Sequence, residues 1–375
     1  MKPIVLGGDA SILIEGSPSQ ARMRQYARLF EELHFVVATP SAAGRRVAGS
    51  LYTYAATGRN AITRMFRVWS IASSVCSRVR PHVISTQDPS LFGLVGYVLS
   101  RRYRIPLQVQ IHTDILSPFY RKASWKERIR YQIALFILPR ATMIRAASDR
   151  VRNAMVEELG IPASKVRVLP IATDVAEIQS AARQKDTDNR FREFGFRMVS
   201  AGRFVEREKN FSLLLDVMVE IAPDVPRPLL VIVGEGPDRK LLERRIRSRG
   251  LDTSVVLEPW RDDLPSFLKS FDLFLLPSNF EGYPRVCIEA AAAGLPVVMT
   301  DVGSAGELFV DGVNAVVVPV GDRRAMRQAV LRLFSSPQER RRLARAAREV
   351  VERRPYRSMA DYYHAYREAV EACVK

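Results

Sequence analysis

Residues 273–312 read LFLLPSNFEGYPRVCIEAAAAGLPVVMTDVGSAGELFVDG, and this stretch gives the clearest indication of the fold class. An apolar run at 273–276 predicts a strand, and a second such run lies at 297–299. Between them, Pro284 stands where the first residue of a helix is expected, and Gly294 stands where that helix would stop. The order strand, loop, helix, strand is typical of a parallel sheet covered by helices, so the stretch predicts an α/β fold.

Two glutamates in this stretch are candidates for ligand binding. Glu281 lies on the predicted strand-to-helix loop, and Glu289 lies on the helix behind it. Carboxylates so placed accept hydrogen bonds from neighbouring hydroxyl groups, and a sugar or a ribose offers pairs of them. The plainer interpretation is two surface acids at an ordinary loop–helix junction, because short motifs often match by chance.

The residues around the glutamates favour the binding interpretation. The stretch, with its alanine–glycine run and the segment GLPVVMTDVGSAGEL, resembles the signature of retaining glycosyltransferases of family 4. The resemblance implies that Glu289 holds the ribose of a nucleotide, and that Glu281 and the loop after it face the donor sugar. Loop residues of the signature that are expected to help bind the donor are Gly282, Tyr283 and Pro284.

A second group of candidates follows the apolar run 198–201, which also predicts a strand. Gly202 permits a tight exit from that strand, and Arg203 and Lys209 follow it. The resemblance implies that these two cations hold the donor diphosphate, whose negative charge grows as the glycosidic bond breaks. The alternative is a pair of solvated basic residues in a charged loop. Gly234, in a glycine turn after another apolar run, is expected to shape the nucleotide site.

Candidates in the first half of the chain are fewer. His112 closes the predicted strand 107–111 at its carboxyl end, where ligands of parallel sheets bind. The resemblance implies that a histidine here contacts the donor sugar or lines the acceptor site, although a lone histidine is more often structural. Asp114 in the same loop is a further acceptor-site candidate. Gly16 precedes a predicted helix cap, where the family places a glycine loop over the diphosphate and acceptor; Gly7 and Gly8 are the alternative.

Apolar runs alternate with helical patterns along the whole chain, which predicts two doubly wound, Rossmann-like domains. The resemblance implies the GT-B architecture, in which two such domains face each other across a cleft. A polar stretch at 176–194 is interpreted as a linker. The expected division is an acceptor domain at 1–180 and a nucleotide-sugar domain at 181–355, with a helix at 356–375 crossing back to the first domain.

Composition narrows the class of protein. The chain has 375 residues, 47% of them apolar, which suits two packed cores. No apolar run reaches the ~20 residues that span a bilayer, and the start MKPIVLGGDA is not typical of a secretory signal. The isolated cysteines form no CxxC pair and indicate a reducing compartment, so a cytoplasmic location is expected. They are Cys76, Cys287 and Cys373.

The positive charge is uneven. Residues 1–190 hold 28 Lys and Arg against 14 Asp and Glu, whereas residues 191–375 hold 29 against 26. The stretch 101–130 mixes eight basic residues with aromatic ones and suits the surface of an anionic membrane. A core helix with solvated charges is the alternative. Peripheral association with the inner face of the membrane is therefore expected.

The sequence as a whole is interpreted as a retaining, metal-independent hexosyltransferase. It would move a sugar from UDP- or GDP-sugar to a hydroxyl of a glycan or lipid-linked acceptor in cell-envelope synthesis. No cofactor is expected, and Asp186–Asp188 mimics a metal-binding DXD motif by accident, because no apolar strand precedes it. Alternatives are a sugar-nucleotide epimerase, a non-catalytic sugar-nucleotide-binding protein and a nucleic-acid-binding protein, which would leave the glutamates unexplained.

Overall fold

Two sheets form the framework of the chain in a computed structural model, which describes residues 1–40, 46–356 and 358–374, without the side chain of Arg46. In chain order the strands are β1 Pro3–Gly7, β2 Leu33–Thr39, β3 Arg46–Ala48, β4 Leu51–Thr57, β5 Val83–Thr86, β6 Leu107–Ile111, β7 Met143–Ala146, β8 Val166–Val168, β9 Phe196–Ala201, β10 Pro228–Val233, β11 Val255–Glu258, β12 Leu273–Leu276, β13 Val297–Thr300 and β14 Val316–Val318.

Helices connect most of these strands, as parallel pairing requires. They are α1 Pro18–Ala27, α2 Ala61–Val79, α3 Leu91–Tyr103, α4 Pro118–Ala123, α5 Trp125–Ile137, α6 Asp149–Leu159, α7 Val175–Ser180, α8 Lys185–Arg190, α9 Glu206–Lys209, α10 Phe211–Ile221, α11 Arg239–Ser248, α12 Leu264–Leu268, α13 Arg285–Ala292, α14 Arg323–Ser335, α15 Pro337–Glu352 and α16 Met359–Glu371. Short 3₁₀ helices lie at Ala10–Leu13, Leu138–Arg140 and Ala163–Lys165.

The chain divides into two units. Unit 1 comprises Met1–Pro170 together with Met359–Lys375, and unit 2 comprises Ile171–Ser358. The division after Pro170 lies upstream of the boundary expected after residue 180. Helix α16 packs within unit 1, where Tyr366 stacks on Tyr26 of α1 at 4.4 Å between ring centroids. Of the C-terminal segment 356–375, Arg357 and Lys375 lie outside the described residues.

Unit 2 is a doubly wound sheet. Across the described strands its order is β11-β10-β9-β12-β13-β14, and all pairs are parallel. Strand β10, PLLVIV, is buried along its whole length, as expected for a strand covered by helices on both faces. The order reverses between β9 and β12, so the crevice that binds ligands in such sheets lies at the carboxyl ends of these two strands.

Unit 1 has the same construction. Its described strands are ordered β3-β4-β2-β1-β5-β6-β7-β8, and only β3 runs antiparallel to its neighbour. The point of reversal lies between β1 and β5. The fold class predicted from the sequence, two Rossmann-like α/β sheets, is therefore confirmed.

One local interpretation is wrong, and two strands were not predicted. The stretch 176–194 is not a featureless linker, because the Asp174 side chain caps α7 by accepting from the Glu177 amide, and α8 follows. The edge strands β3 and β4 were not predicted, since LYTYAAT mixes polar and aromatic residues. Strands β9, β12 and β13 lie where the apolar runs 198–201, 273–276 and 297–299 predict them.

Candidate functional site

The reversal point of unit 2 brings the two predicted groups of site residues together. Gly202 and Arg203 follow β9, and Glu281 follows β12, the strand paired with β9. The two loops are joined by hydrogen bonds: the Asn279 amide donates to the Glu208 carbonyl oxygen at 2.8 Å, and the Asn210 side chain donates to that of Asn279 at 3.2 Å. The loops therefore form one structural element at the carboxyl ends of the central strands.

Lys209 is the centre of this element. Its Nζ donates to Glu281 Oε1 at 2.5 Å and lies 3.3 Å from Glu208 Oε1. The Ser278 hydroxyl donates to the same Glu281 oxygen at 2.7 Å. Burial opposes the charge on Lys209, but Glu281 and Glu208 outweigh it, so the pKa of Lys209 is raised above its usual value. The ammonium group is therefore charged at neutral pH and held in a fixed position.

Glu208 links the two cations that the sequence singled out. Its Oε1 faces Lys209, and its Oε2 accepts from Arg203 NH2 at 3.0 Å. Arg203 is otherwise open to solvent, with 68% of its side chain exposed. Sequence reasoning missed Glu208, which stands in a run of alternating charges; its position one residue before Lys209 was the available signal.

Glu289 lies on α13, close to the same cluster. Its Oε1 accepts from Arg285 NH2, one helical turn earlier, at 3.0 Å, and 14% of its side chain is exposed. Both glutamates affect the pKa of the buried Cys287 thiol. Burial raises this pKa, the charges of Glu281 and Glu289 raise it further, and the charge of Lys209 lowers it. The two carboxylates predicted to bind a sugar nucleotide thus share one neighbourhood.

The loop between the glutamates is buried. Gly282, Tyr283 and Pro284 are all buried. Pro284 is the N-cap residue of α13, so the helix begins at Arg285, one residue later than predicted. The Tyr283 hydroxyl accepts from Arg354 NH1 at 3.4 Å. Behind the loop, Gly303 has φ +56°, and a Cβ there would lie 2.6 Å from Pro284 Cδ. Only glycine fits this approach.

Close backbone approach also explains Gly234. A Cβ on Gly234 would lie 1.9 Å from the Gly202 carbonyl oxygen, and the Gly202 amide donates to Val233 at 2.9 Å. The turn after β10 therefore packs directly on the turn after β9. Nearby, the Ser304 hydroxyl is fully buried and has no hydrogen-bond partner within the described ranges.

His112 lies in unit 1, directly after β6. Its Nε2 is 3.2 Å from Gln110 Oε1. Burial lowers the pKa of His112 to about 3, and the positive charges of Arg145 and Arg22 act in the same direction. The ring is therefore neutral at physiological pH, which suits a hydrogen-bonding role better than a charged one. Sequence reasoning missed Gln110 and Arg145, whose signal is a polar residue inside a buried strand.

The remaining candidates of unit 1 have local structural roles. Asp114 Oδ1 accepts from the amides of Leu116 and Ser117, each at 3.1 Å, and so shapes the loop before α4. Burial raises the pKa of Asp114. Gly16 adopts φ +76°, and its amide donates to Gln20 Oε1 at 3.2 Å at the start of α1. Both residues follow strands at the carboxyl edge of the sheet, but neither contacts His112 in the hydrogen bonds described.

Among the described residues, no group of three or more His, Cys, Asp or Glu side chains is arranged to hold a metal ion. The DXD-like segment lies in and around α8, where Asp188 pairs with Arg183 at 2.7 Å and with Arg197 at 3.5 Å. Its second aspartate is therefore part of an ion-pair network.

Comparison with known proteins agrees with this geometry. The family model of glycosyl transferases group 1 matches residues 183–350, and that of glycosyltransferase family 4 matches residues 22–177. Together the two models match most of the chain, and they meet close to the boundary between the two units.

Relatives and solved structures carry related names. Alpha-D-kanosaminyltransferase of Streptomyces kanamyceticus is 28% identical over 268 residues, 67% of each chain. The lipopolysaccharide core biosynthesis glycosyltransferase LpsE of Rhizobium meliloti is 30% identical over 154 residues, 41% of this chain and 44% of LpsE, so this chain matches less than half of LpsE. HepE of Anabaena, solved with UDP and glucose, superimposes with a TM-score of 0.77 over 99% of both chains at 18% identity, which shows a shared fold. The chain thus belongs to the glycosyl transferases of group 1, with the GT-B fold and the family 4 domain in its first half.

Proposed function

We propose that the protein is a retaining glycosyltransferase that transfers a hexose from a UDP- or GDP-sugar to a hydroxyl of a glycan or lipid-linked acceptor. The observation that carries the proposal is the Lys209–Glu281–Glu208–Arg203 cluster at the reversal point of unit 2. Two cations held by carboxylates at the ends of central strands fit a nucleoside diphosphate that leaves with growing negative charge.

Lys209 and Arg203 each have N–H donors that the described carboxylates do not use, and these donors could bind a diphosphate. Lys209 carries three N–H bonds, and its two carboxylate partners take two of them. Arg203 has a planar fork of donors with one ion-pair partner, Glu208, among the described contacts. We assign the third Lys209 donor and the exposed edge of Arg203 to the phosphate oxygens. Gly202 and Gly234 would line the same anion.

The glutamates would orient the sugar nucleotide. Glu289, fixed by Arg285, would accept from the ribose hydroxyls, and Glu281, fixed by Lys209 and Ser278, would hold the donor sugar through its second oxygen. Gly282, Tyr283 and Pro284 would support both through the buried loop between them. In unit 1, His112 would contact a hydroxyl of a reacting sugar.

The reaction needs no protein nucleophile in this proposal. Among the acids of the site, Glu281 is tied to Lys209 and Glu289 to Arg285. We therefore propose a front-face displacement: the bond from the sugar to the diphosphate breaks, the acceptor hydroxyl attacks from the same face, and the departing phosphate oxygen takes the hydroxyl proton. Lys209 and Arg203 would stabilise the leaving charge in place of a metal ion.

An NMR assay of the first product tests the reaction type. The anomeric coupling constant of the new glycosidic bond is expected to show the configuration of the donor, and added chelator is expected to leave turnover unchanged. Inverted product would contradict the front-face step, and chelator-sensitive turnover would contradict the role of the two cations. Conversion of the donor to an epimer without acceptor would favour an epimerase, and binding without turnover would favour a non-catalytic protein.

The acceptor side of the proposal includes an anionic membrane surface bound by unit 1. The relevant surface is the apolar–basic face, formed by Trp125, Ile129 and Phe136 of α5 with Phe119 of α4. These side chains are between 42% and 69% exposed. Cations stand over two of the rings: Lys126 over Trp125 and Arg140 over Phe136. Exposed apolar side chains beside cations are typical of interfacial binding to anionic lipid.

The apolar–basic face would bind the membrane surface peripherally, without a spanning segment. Over the described ranges, no helix combines the length and apolar character needed to cross a bilayer. The names of relatives that act in lipopolysaccharide core synthesis support a lipid-linked acceptor, and with it cell-envelope synthesis at the cytoplasmic side of the membrane.

Vesicle co-sedimentation tests the surface. The wild-type protein should bind vesicles rich in phosphatidylglycerol and should not bind phosphatidylcholine, and high salt should weaken binding. The double variant Trp125→Ser/Ile129→Ser should lose this binding. Trp260→Ser, which removes a tryptophan of unit 2 that is 53% exposed, is the control and should retain it. Equal binding by all three proteins would refute the assignment.

A further inference from the structure

Four of the buried polar side chains in the sheet of unit 1 form a row across strands β5, β6 and β7. Ser85 is on β5, Gln108 and Gln110 are on β6, and Arg145 is on β7, and none is more than 5% exposed. Strand pairing places Ser85 beside Gln108 and Gln110 beside Arg145. Buried polar groups need partners, so their hydrogen bonds determine which way each amide is turned.

One end of this polar row is fixed by α16. Gln108 Nε2 donates to the carbonyl oxygen of Ala369 at 2.6 Å, and a carbonyl can only accept. Gln108 Oε1 is therefore turned to the Ser85 hydroxyl, which donates to it at 2.9 Å. The Ser85 oxygen in turn accepts from Gln110 Nε2 at 2.8 Å. Because the Gln110 amide nitrogen faces Ser85, its carbonyl oxygen points away from Ser85.

The other end is fixed by Arg145, which has donors only. Its NH1 donates to Gln110 Oε1 at 3.1 Å, its Nε donates to the Leu169 carbonyl at 3.2 Å, and its NH2 donates to the Tyr362 hydroxyl of α16 at 2.6 Å. The two ends are independent of each other, and they require the same orientation of the Gln110 amide. The direction of every bond in the row is thus determined.

The orientation of the Gln110 amide also determines the hydrogen bond of His112. Gln110 Oε1, already shown to be an acceptor, lies 3.2 Å from His112 Nε2, so the histidine nitrogen has to donate. We infer that Gln110 and Arg145 are positioning residues that hold His112 as the Nε2–H tautomer and leave its Nδ1 as a hydrogen-bond acceptor. The cation of Arg145 and burial keep the ring neutral, in line with the lowered pKa of His112.

The tautomer decides which ligand groups His112 can bind. An unprotonated Nδ1 accepts from a hydroxyl and has nothing to donate to a phosphate or carboxylate oxygen. His112 therefore fits a sugar hydroxyl and not the diphosphate. This assignment of the ligand rests on the proposed function, whereas the tautomer itself does not. Since Tyr362 and Ala369 are on α16, the last helix of the chain helps to set the chemistry of a residue after β6.

Nitrogen-15 NMR of histidine-labelled, ligand-free protein tests the tautomer without any activity. The chain has four histidines, and the signal that disappears in His112→Gln identifies His112. At pH 7 we expect one ring nitrogen with a bonded proton, Nε2, and a bare Nδ1. A proton on Nδ1, or protons on both nitrogens, would overturn the inference. The tautomer is read from the wild-type protein, and the His112→Gln variant serves only to assign the signal.

Two methionine variants test the positioning role. Gln110→Met removes the acceptor of His112 and should replace the single Nε2–H pattern by a mixture of tautomers. Gln108→Met is the matched control, because it removes the same group from the same strand while Arg145 still orients Gln110; its His112 signals should remain those of the wild type. An unchanged pattern in Gln110→Met would overturn the positioning role, as would a changed pattern in Gln108→Met.

Turnover connects the tautomer to the proposed function. Gln110→Met should lower kcat/KM for sugar transfer, and the nucleotide alone should still bind with wild-type affinity, because His112 is assigned to a sugar hydroxyl. A weakened affinity for the nucleotide with unchanged transfer would overturn the hydroxyl assignment. If neither variant nor wild type transfers sugar, the proposed function fails while the NMR result on the tautomer stands.

Discussion

Removal of the Lys209 charge gives a quantitative test of the cluster in unit 2. In Lys209→Met the carboxylates of Glu281 and Glu208 lose their shared cation. The side chain of Glu281 is only 10% exposed, and that of Glu208 is 18% exposed. Breaking a buried ion pair by removing one partner typically costs about 3–5 kcal/mol, because the other charge is left without compensation. We expect about 3 kcal/mol here, since Ser278 still donates to Glu281.

A double variant distinguishes the loss of the attraction between Lys209 and Glu281 from the cost of leaving the Glu281 carboxylate buried without a cation. In Lys209→Met/Glu281→Gln the buried carboxylate is neutral, so the double variant should recover about 1–2 kcal/mol relative to Lys209→Met. The free energy of unfolding is measured by urea titration at pH 7. At about 2–4 °C per kcal/mol for a domain of this size, the single variant should also melt about 6–12 °C lower.

Catalysis provides a second readout of the same variants. Because the charge of Lys209 matters most when the leaving group develops its negative charge, kcat should fall far more than nucleotide affinity. Equal losses of kcat and of nucleotide affinity would refute the catalytic role. A double variant that is less stable than Lys209→Met would refute the structural reasoning, because it would show that Glu281 is not the stranded charge.

Two further predictions concern the packing and protonation of other site residues. Gly303→Ala should destabilise unit 2 and weaken nucleotide binding, because its Cβ would lie 2.6 Å from Pro284 Cδ and 3.2 Å from Glu281 Cβ. Gly306→Ala is the control: with φ +76° and open space around it, this variant should lose about 1 kcal/mol of stability and bind the nucleotide normally. Equal effects of the two substitutions on binding would contradict the prediction. His112 has a pKa below that of the unfolded chain, so the unfolded state takes up a proton first and stability should fall as the pH drops from about 6.5 towards 3. Urea titrations at pH 7 and pH 4.5 should show a smaller loss of stability for His112→Gln, by about 2.5 kcal/mol, and an equal loss would argue against a neutral ring.

The strands of unit 2 were predictable because buried parallel strands are continuous apolar runs, as in Leu273–Leu276 and Pro228–Val233. The residues that organise the site were harder to find. Glu208 belongs to a charged loop whose register relative to Lys209 depends on the turn of α9. Arg145 stands inside a buried strand, where its role appears only once α16 packs over the sheet.

The helices of the expected linker show the same limit. Their sequence is polar, so no apolar period reveals them, and they are held by contacts with distant residues. The Gln184 side chain donates to Asp263, and Lys269 Nζ donates to the carbonyl oxygen of Gln179 at 2.8 Å. Tertiary contacts of this kind cannot be inferred from local composition, whereas strand-to-helix loops can be placed from punctuation by proline and glycine.

The melting temperature in the presence of nucleotides tests the central claim that unit 2 binds a nucleotide-diphosphate sugar at Glu289. A ligand at about 100 times its Kd adds about 2.7 kcal/mol to the free energy of unfolding, so UDP or GDP should raise the melting temperature by about 5–10 °C. Glu289→Ala should abolish this shift. Glu243→Ala removes a glutamate paired with Arg239 in the same i, i+4 arrangement at the same 3.0 Å, and should keep it. No shift with UDP, GDP, ADP or their sugars, or a shift that survives in Glu289→Ala, would contradict the account.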